Sequence, residues 1–512
     1  MRHAFPISSQ LLVTCILAAQ TIYPTTPDWT STDSSYATGG ALVDLNRDGW
    51  LDLVVANGND MAAQRMMVYY NRGDGTLPVI PSWLSSQTAY HGHLDVADVN
   101  GDGWPDVAVA ILLNQGGACA KLYMNNNGTL SSTPTWQSSF AAPAFTVAFG
   151  DMNGDGRPDL AVGTGDAYSG TPHAFQNVVH LNINGALETS PSWRSGDTWC
   201  YDSVYWVDAN NDGWLDLVGG GSLTRTFIYT NLGGALELNP SWSTTDVAAQ
   251  FGLMLTAGDV NKDGFRDLLV VDNNQLGGGS GRFRMYAGLP GGYFSQAATW
   301  TYYDGYVAAV ALADVDFDRD LDLATGAWWD NTRIFLNNSG SLGATPAWNS
   351  AGTCVAEKII FGDVNRDGLV QRVDTFPAGT RLAYLSVQPI QEILSVERDG
   401  VPLGPAQYTF DADSAWVSVY APAVTQLRIT YLRSTRLDMA VTTWDPELGN
   451  YLSYNRRDCD GDLNHDRVVD ESDLGILLAA WQNGDAGDVD GDGDTNESDL
   501  GIVLARWQVN CR

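Results

Sequence analysis

Residues 44–56 read DLNRDGWLDLVVA: oxygen-bearing side chains at Asp44, Asn46, Asp48 and Asp52, a glycine at Gly49, then an unbroken apolar run. Oxygens from alternating positions of a tight loop converge on one point, as a hard cation such as Ca2+ requires. Gly49 permits the sharp turn that bulkier residues resist. Without a cation, two carboxylates about 4 Å apart would repel by about 4 kcal/mol at an effective dielectric of 20. A single copy would equally suit a solvated turn, where Asp, Asn and Gly abound.

The string does not occur once. It returns as DVNGDGWPDVAVA from Asp98, DMNGDGRPDLAVG from Asp151, DANNDGWLDLVGG from Asp208, DVNKDGFRDLLVV from Asp259, DVDFDRDLDLATG from Asp314 and DVNRDGL from Asp363. The first aspartates stand 54, 53, 57, 51, 55 and 49 residues apart. The candidate cation ligands are therefore Asp98, Asn100, Asp102 and Asp106; Asp151, Asn153, Asp155 and Asp159; Asp208, Asn210, Asp212 and Asp216; Asp259, Asn261, Asp263 and Asp267. The sixth loop offers Asp314, Asp316, Asp318 and Asp322, with Arg319 where the others have glycine. The seventh offers Asp363, Asn365 and Asp367 before its motif breaks.

Two other landmarks keep the same phase. A Pro-x-Trp or close variant recurs at Trp29, Trp83, Trp136, Trp193, Trp242, Trp300 and Trp348. A strand ending in an Asn-Gly-type turn follows most acid loops, as in LYMNNNGTL and VHLNINGAL. Four short strands per period of about 50 residues predict a propeller blade. The expected fold is all-β, a closed ring of seven blades, with the N-terminal Trp29 strand completing the last blade and removing two sheet edges. Two residues before each first aspartate the side chain is mostly bulky (Leu42, Trp206, Phe361), and one before it mostly small (Ala97, Gly150, Gly362). A bulky face should nest against the small face of the adjacent blade.

The seventh unit is interrupted after Leu369 and resumes as RLDMAVTTW from Arg436, which places Asp438 in the last acidic position. The intervening residues 370–435 alternate in runs such as EILSVERDGVPL and LRITYL, predicting a small grafted β-domain. These loops resemble the FG-GAP (VCBS) repeats of integrin α-subunit propellers and many secreted bacterial proteins, over residues 27–457. The resemblance implies structural calcium in the loops and an adhesion, carbohydrate-binding or protein-binding role, only occasionally catalysis.

From Cys459 the chain holds two twelve-residue loops, each followed by a helical pattern. The first offers Asp462, Asn464, Asp466, Asp470 and Asp473, the second Asp488, Asp490, Asp492, Asn496 and Asp499, with a carbonyl at position seven of each. Leu474, Leu477, Leu478 and Trp481 fall at helical spacing and are expected in a core. This segment resembles a type I dockerin, a small α-helical EF-hand-type domain. The resemblance implies docking to a cohesin-like partner through Glu471, Ser472, Glu497 and Ser498, the same pair twice; the alternative is a self-contained calcium clasp. Cys459 and Cys511 bracket the segment and are expected to form a disulfide, worth roughly 4 kcal/mol in the chain-entropy model.

Residues 1–20 read as a cleaved secretory signal, placing the protein outside the cell or at its surface. The formal net charge of −33 disfavours nucleic acid and anionic lipid partners. No later stretch is long and apolar enough to span a membrane. Of Cys119, Cys200 and Cys354, at least one should be a buried free thiol. His91 and His93 alternate on one strand, either as a transition-metal pair or as polar residues near the channel. No nucleophile elbow, zinc-protease helix or phosphate loop appears, so a binding module is favoured over an enzyme. The enzyme alternative is a polysaccharide lyase or glycosidase. Loops 115–120, 165–176 and 273–284, rich in Gly, Asn and Ser, are the candidate surfaces for a glycan or surface protein.

Overall fold

The computed structural model describes residues 22–113, 117–166, 173–246, 248–249, 252–275, 277–456, 461–463, 468–482, 487–489 and 494–507. Each acid loop joins an inner strand to a second strand that begins on the loop's last aspartate. The first pair is Ala37–Val43 with Asp52–Asn57, followed by His91–Ala97 with Asp106–Ile111 and Ala144–Gly150 with Asp159–Asp166. Then come Cys200–Val207 with Asp216–Ser222, Leu255–Gly258 with Asp267–Asp272, and Tyr306–Ala313 with Asp322–Asp330. Cys354–Gly362 finds its partner, Asp438–Thr443, only beyond the insertion. The second strands are continuous apolar runs because neighbouring sheets cover both their faces; Asp106–Ile111 is buried throughout.

A third strand and an outer strand complete each antiparallel group, as Met67–Tyr69 and the two-residue Trp83–Leu84 do in the first; in the fifth they lengthen to Gly281–Tyr286 and Trp300–Asp304. The outer strands begin on the recurring tryptophans, including Trp136, Trp193, Trp242 and Trp348. The sixth and seventh groups are fused into one eight-stranded sheet through the pairs Trp328–Val355 and Asp330–Cys354. The inner strands touch one another in chain order, and Cys354–Gly362 returns against Ala37–Val43. At the seam Trp29 and Thr30 pair with Leu452 and Tyr451, so the N-terminal strand supplies the outer edge of the last group.

Packing between groups follows the bulky-against-small pattern. A Cβ on Gly150 would lie 2.6 Å from the Trp206 ring of the following unit. One on Gly258 would lie 2.9 Å from Leu312, and one on Gly362 3.2 Å from Leu42. Three inner strands thus end in glycine because the next sheet occupies the side-chain space.

The insertion runs from strand Leu369–Pro377 to strand Gln426–Ser434, which pair along their whole length. It has its own core, including Val396, Val417, Leu427, Ile429 and Tyr431. It sits on the acid-loop face of the ring. The Arg381 guanidinium lies 3.1 Å from the Trp214 ring centroid, Gln388 Nε2 donates to the Ala257 carbonyl at 3.0 Å, and Tyr205 and Ser414 hydroxyls meet at 2.7 Å.

The C-terminal module contributes helices α1 (Glu471–Ala480) and α2 (Glu497–Ala505) around a small core of Val469, Leu477, Val489 and Val503. Here the spacing argument overreached: Leu477 is buried, but Leu478 is 54% exposed. A short helix with one helical partner buries only a narrow stripe. Cys119, Cys200 and Cys354 are all buried free thiols, more than the sequence required. Among the described residues, no helix is long and apolar enough to cross a membrane.

Candidate metal centres

In the first loop, the Asp44 carboxylate accepts from the backbone N–H groups of Asp48 (3.1 Å) and Gly49 (2.8 Å). Asn46 Oδ1 accepts from Asp48 N–H at 2.9 Å, and Asp48 Oδ1 from Trp50 N–H at 2.9 Å. Arg47 and Gly49 take φ of 55° and 90°, curling the backbone so that its amides face inward. The same bonds to Asp98, Asp151, Asp208, Asp259 and Asp363 organise five further loops.

The last aspartate of every loop is buried, as is the first in the third, fourth and seventh loops (Asp151, Asp208 and Asp363). Asp52 accepts from Leu45 N–H (3.1 Å) across the loop and from Asn71 N–H (2.8 Å) on the third strand. Asp106, Asp159, Asp216, Asp267 and Asp322 make the equivalent pair of bonds. Asp438 does so across the insertion, accepting from Val364 N–H at 2.9 Å and Asn455 N–H at 3.0 Å. Burial pushes these carboxyls up: Asp52 and Asp106 to about 7, Asp216 to about 8 and Asp322 to about 9.

Sequence reasoning took the asparagine after each third strand for a turn residue, whereas it is a clamp between units. Asn125 Nδ2 donates to the Leu45 carbonyl (2.9 Å) in the preceding acid loop. Asn182 reaches Val99 (2.7 Å), Asn231 reaches Met152 (2.7 Å), Asn337 reaches Val260 (2.7 Å) and Asn455 reaches Val315 (3.0 Å). Asn71 closes the circle on Val364 at 3.1 Å. The fifth unit has Gly288 at this position, and there the Tyr293 N–H reaches the Ala209 carbonyl at 2.6 Å. The signal was available, since these asparagines recur in phase with the acid loops.

The sixth loop differs. Carboxylate oxygens of Asp314, Asp316 and Asp322 all lie within 4.8 Å of one another. Asp318 is exposed, and the buried Asp320, which the spacing passed over, pairs with Lys262 and accepts from Ser339 N–H. The donors in all these loops are carboxylate and amide oxygens, burial raises the last carboxyl of each loop, and both properties fit a hard divalent cation such as Ca2+.

In the C-terminal module, Asp470 accepts from Ser472 N–H (2.7 Å) and Asp473 from Asp470 N–H (2.8 Å). Asn496, Ser498 and Asp499 repeat this at 2.8 Å for both bonds. The last ligand positions therefore double as capping boxes. Glu471, Ser472, Glu497 and Ser498 are exposed on the first turns. Asp488 pairs with Arg319 of the sixth loop, while Arg506 donates to the Asp367 carbonyl at 3.3 Å. Asn464, Asp466, Asp490, Asp492, Cys459 and Cys511 lie outside the described residues, as do parts of loops 115–120, 165–176 and 273–284.

The strand carrying the two histidines shifts register between His91 and Leu94. His91 Nδ1 lies 2.7 Å from the Asn57 carbonyl. His93 faces an axial cavity of about 120 Å³ that also meets Asp95 and Lys358, and into which the insertion brings Asp411, Asp413 and Ser414.

A model of the FG-GAP-like repeat matches residues 44–109, 110–162, 208–270 and 259–325. Integrin alpha-6 of Homo sapiens is 25% identical over 170 residues, covering 31% of this chain and 15% of that protein. Phosphatidylinositol-glycan-specific phospholipase D of Bos taurus is 28% identical over 237 residues, covering 36% of this chain and 27% of that protein. The chain thus spans less than a third of the length of these curated relatives. The crystal structure of Saccharomyces cerevisiae Sqt1 overlays with a TM-score of 0.43 at 11% identity, over 84% of this chain and 96% of that one. Over those residues the acid-loop units match the FG-GAP-like repeat, and their four-stranded sheets follow one another in a propeller-like ring.

Proposed function

We propose that this chain is an extracellular ligand-binding module: a seven-bladed propeller held by structural calcium, carrying a dockerin-like tail that docks to a cohesin-type partner. The observation that carries the reading is the repeated unit of acid loop, buried last aspartate and asparagine clamp. It commits the regular carboxylates to holding the ring together and so leaves the face opposite the acid loops for recognition. The match to an integrin alpha chain supports adhesion or ligand binding over catalysis. The exposed Glu-Ser pairs at the start of α1 and α2 support partner docking by the tail. The apolar N-terminal stretch supports secretion. A glycan array and a panel of extracted surface proteins, probed with the calcium-loaded protein, test the binding reading; silence on both refutes it. A pull-down with tandem cohesins tests the tail, and capture should be lost when Glu471, Ser472, Glu497 and Ser498 are replaced together.

One observation favours a polysaccharide-active enzyme as the second reading. Asp95 and Asp411 share the axial cavity, with burial pushing the first to about 8 and the second to about 6, as an acid–base pair needs. Unsaturated products released from pectin-like polymers would establish it.

A further inference from the structure

On the face of the ring opposite the acid loops, the strand Asp322–Asp330 ends in an irregularity. Trp328 pairs with Val355 and Asp330 with Cys354, and the register shifts between them. Trp329 is the extra residue. It takes φ of 58° and its side chain is 54% exposed. A positive φ is rare for so bulky a residue, and bulges commonly re-aim one side chain beside a functional site. The fusion of two sheets clamps the backbone on both sides and holds that conformation.

The ring that is turned out is braced by others. Trp329 meets Trp328 edge-on at 6.1 Å, Trp444 at 5.8 Å and Tyr306 at 6.0 Å. Trp444 in turn meets Trp328 at 5.8 Å. Beneath them Glu357, 1% exposed, receives Asn59 Nδ2 at 3.5 Å. Burial raises the Glu357 carboxyl well above the usual range, and the nearby Asp60 raises it further.

We infer that Trp329, Tyr306 and Trp444 form a stacking platform for a neutral pyranose chain, whose hydroxyls meet Asp60 at its polar edge, with the buried Asn59 and Glu357 supporting that edge from beneath. This rests on the ligand-binding reading above and names its ligand class and site. An indole face is apolar and flat, matching the C–H face of a pyranose, while carboxyl and amide groups suit its hydroxyls. The net charge of −33 and the acidic edge disfavour uronates and sulfated chains. The rings brace one another edge-on rather than enclosing a space, so a stacked flat ligand fits better than a caged ammonium.

The test titrates the full calcium-loaded chain with cellohexaose, xylohexaose, hexagalacturonate and tetramethylammonium, following tryptophan fluorescence and heat. At least one neutral hexasaccharide should bind, and Trp329→Asn, which tolerates the left-handed backbone, should weaken it at least tenfold with an unchanged melting temperature. Undiminished binding by that variant overturns the site while leaving a glycan-binding propeller intact. Failure of both neutral hexasaccharides to bind overturns the inferred ligand, and the broader reading falls only if the glycan array and surface proteins are also silent. Trp329-dependent binding of tetramethylammonium or hexagalacturonate alone overturns the neutral-saccharide assignment.

Discussion

Arg319 forms an ion pair with Asp488, linking the sixth acid loop to the first ligand position of the second tail loop. Arg319 stands where the other loops have glycine, with φ of 72°. The departure from the repeat therefore has a use in holding the tail against the ring. Arg319 and a tail cation would compete for the same carboxylate, so Arg319→Gly should tighten calcium binding by the second tail loop about fivefold, or roughly 1 kcal/mol for a pair whose arginine is partly exposed. Calorimetric titration of the variant against the parent measures this, and equal affinities would contradict it.

Removing calcium should loosen the ring. On the calcium reading proposed above, each occupied site would stabilise the folded state by about 2.7 kcal/mol at free calcium a hundredfold above its dissociation constant. Excess chelator should lower the melting temperature reversibly, and elemental analysis of the untreated protein should find several calcium ions per chain. No bound metal and an unmoved transition would exclude structural calcium.

The asparagine clamps predict an energetic cost for losing one. Asn125→Ala removes donors to the buried Leu45 carbonyl (2.9 Å) and the half-buried Pro105 carbonyl (3.1 Å) and the acceptor of the buried Gly128 N–H (2.8 Å). Unfolding in urea should reveal a loss of about 2–3 kcal/mol. The exposed neighbour Asn126, changed in the same way, should alter stability by under about 0.5 kcal/mol.

Interlocking of successive sheets is testable as a pair. Gly150→Ala places a methyl against the Trp206 ring, 2.6 Å away before relaxation, and should cost about 1–3 kcal/mol. In a Trp206→Leu background the same change should cost less. Additive penalties in that double-mutant cycle would mean the two positions do not share space.

The axial cavity gives a pH dependence of defined sign. Burial, reinforced by Asp411, pushes Asp95 to about 8, above its unfolded value near 4. Between those values the folded state holds a proton the unfolded chain has released, so this contribution is full below pH 4 and declines as pH rises towards 8. The slope approaches about 1.4 kcal/mol per pH unit. Acid loops gain cation affinity over the same range, so the parent must be compared with Asp95→Asn at saturating calcium. The variant's stability should fall less steeply between pH 5 and 8.

The loop spacing, the outer tryptophans and the excursion before Arg436 were readable because each is a local pattern repeated in phase. The string DVNRDGL even carried enough information to place Asp438 across the break, where it bridges Val364 and Asn455. The apolar nesting of Gly150 against Trp206 was legible too, whereas the polar contacts between units escaped. Asn125 looks like any turn asparagine until the preceding loop is beside it, and Arg319 looks like a degraded repeat until Asp488 arrives. Trp329 was invisible because a bulge depends on the register of two strands, not on either alone.

The inner strand Cys354–Gly362 and its partner Asp438–Thr443 are separated in the chain by a domain with a core of its own. During synthesis the ring must therefore wait, gaping at one joint, until that guest has left the ribosome, when Asp438–Thr443 can meet Cys354–Gly362 and Tyr451–Ser453 can meet the N-terminal Trp29. Maturation of the whole barrel of sheets is timed by its last joint, and mechanical or thermal rupture has its natural starting place there.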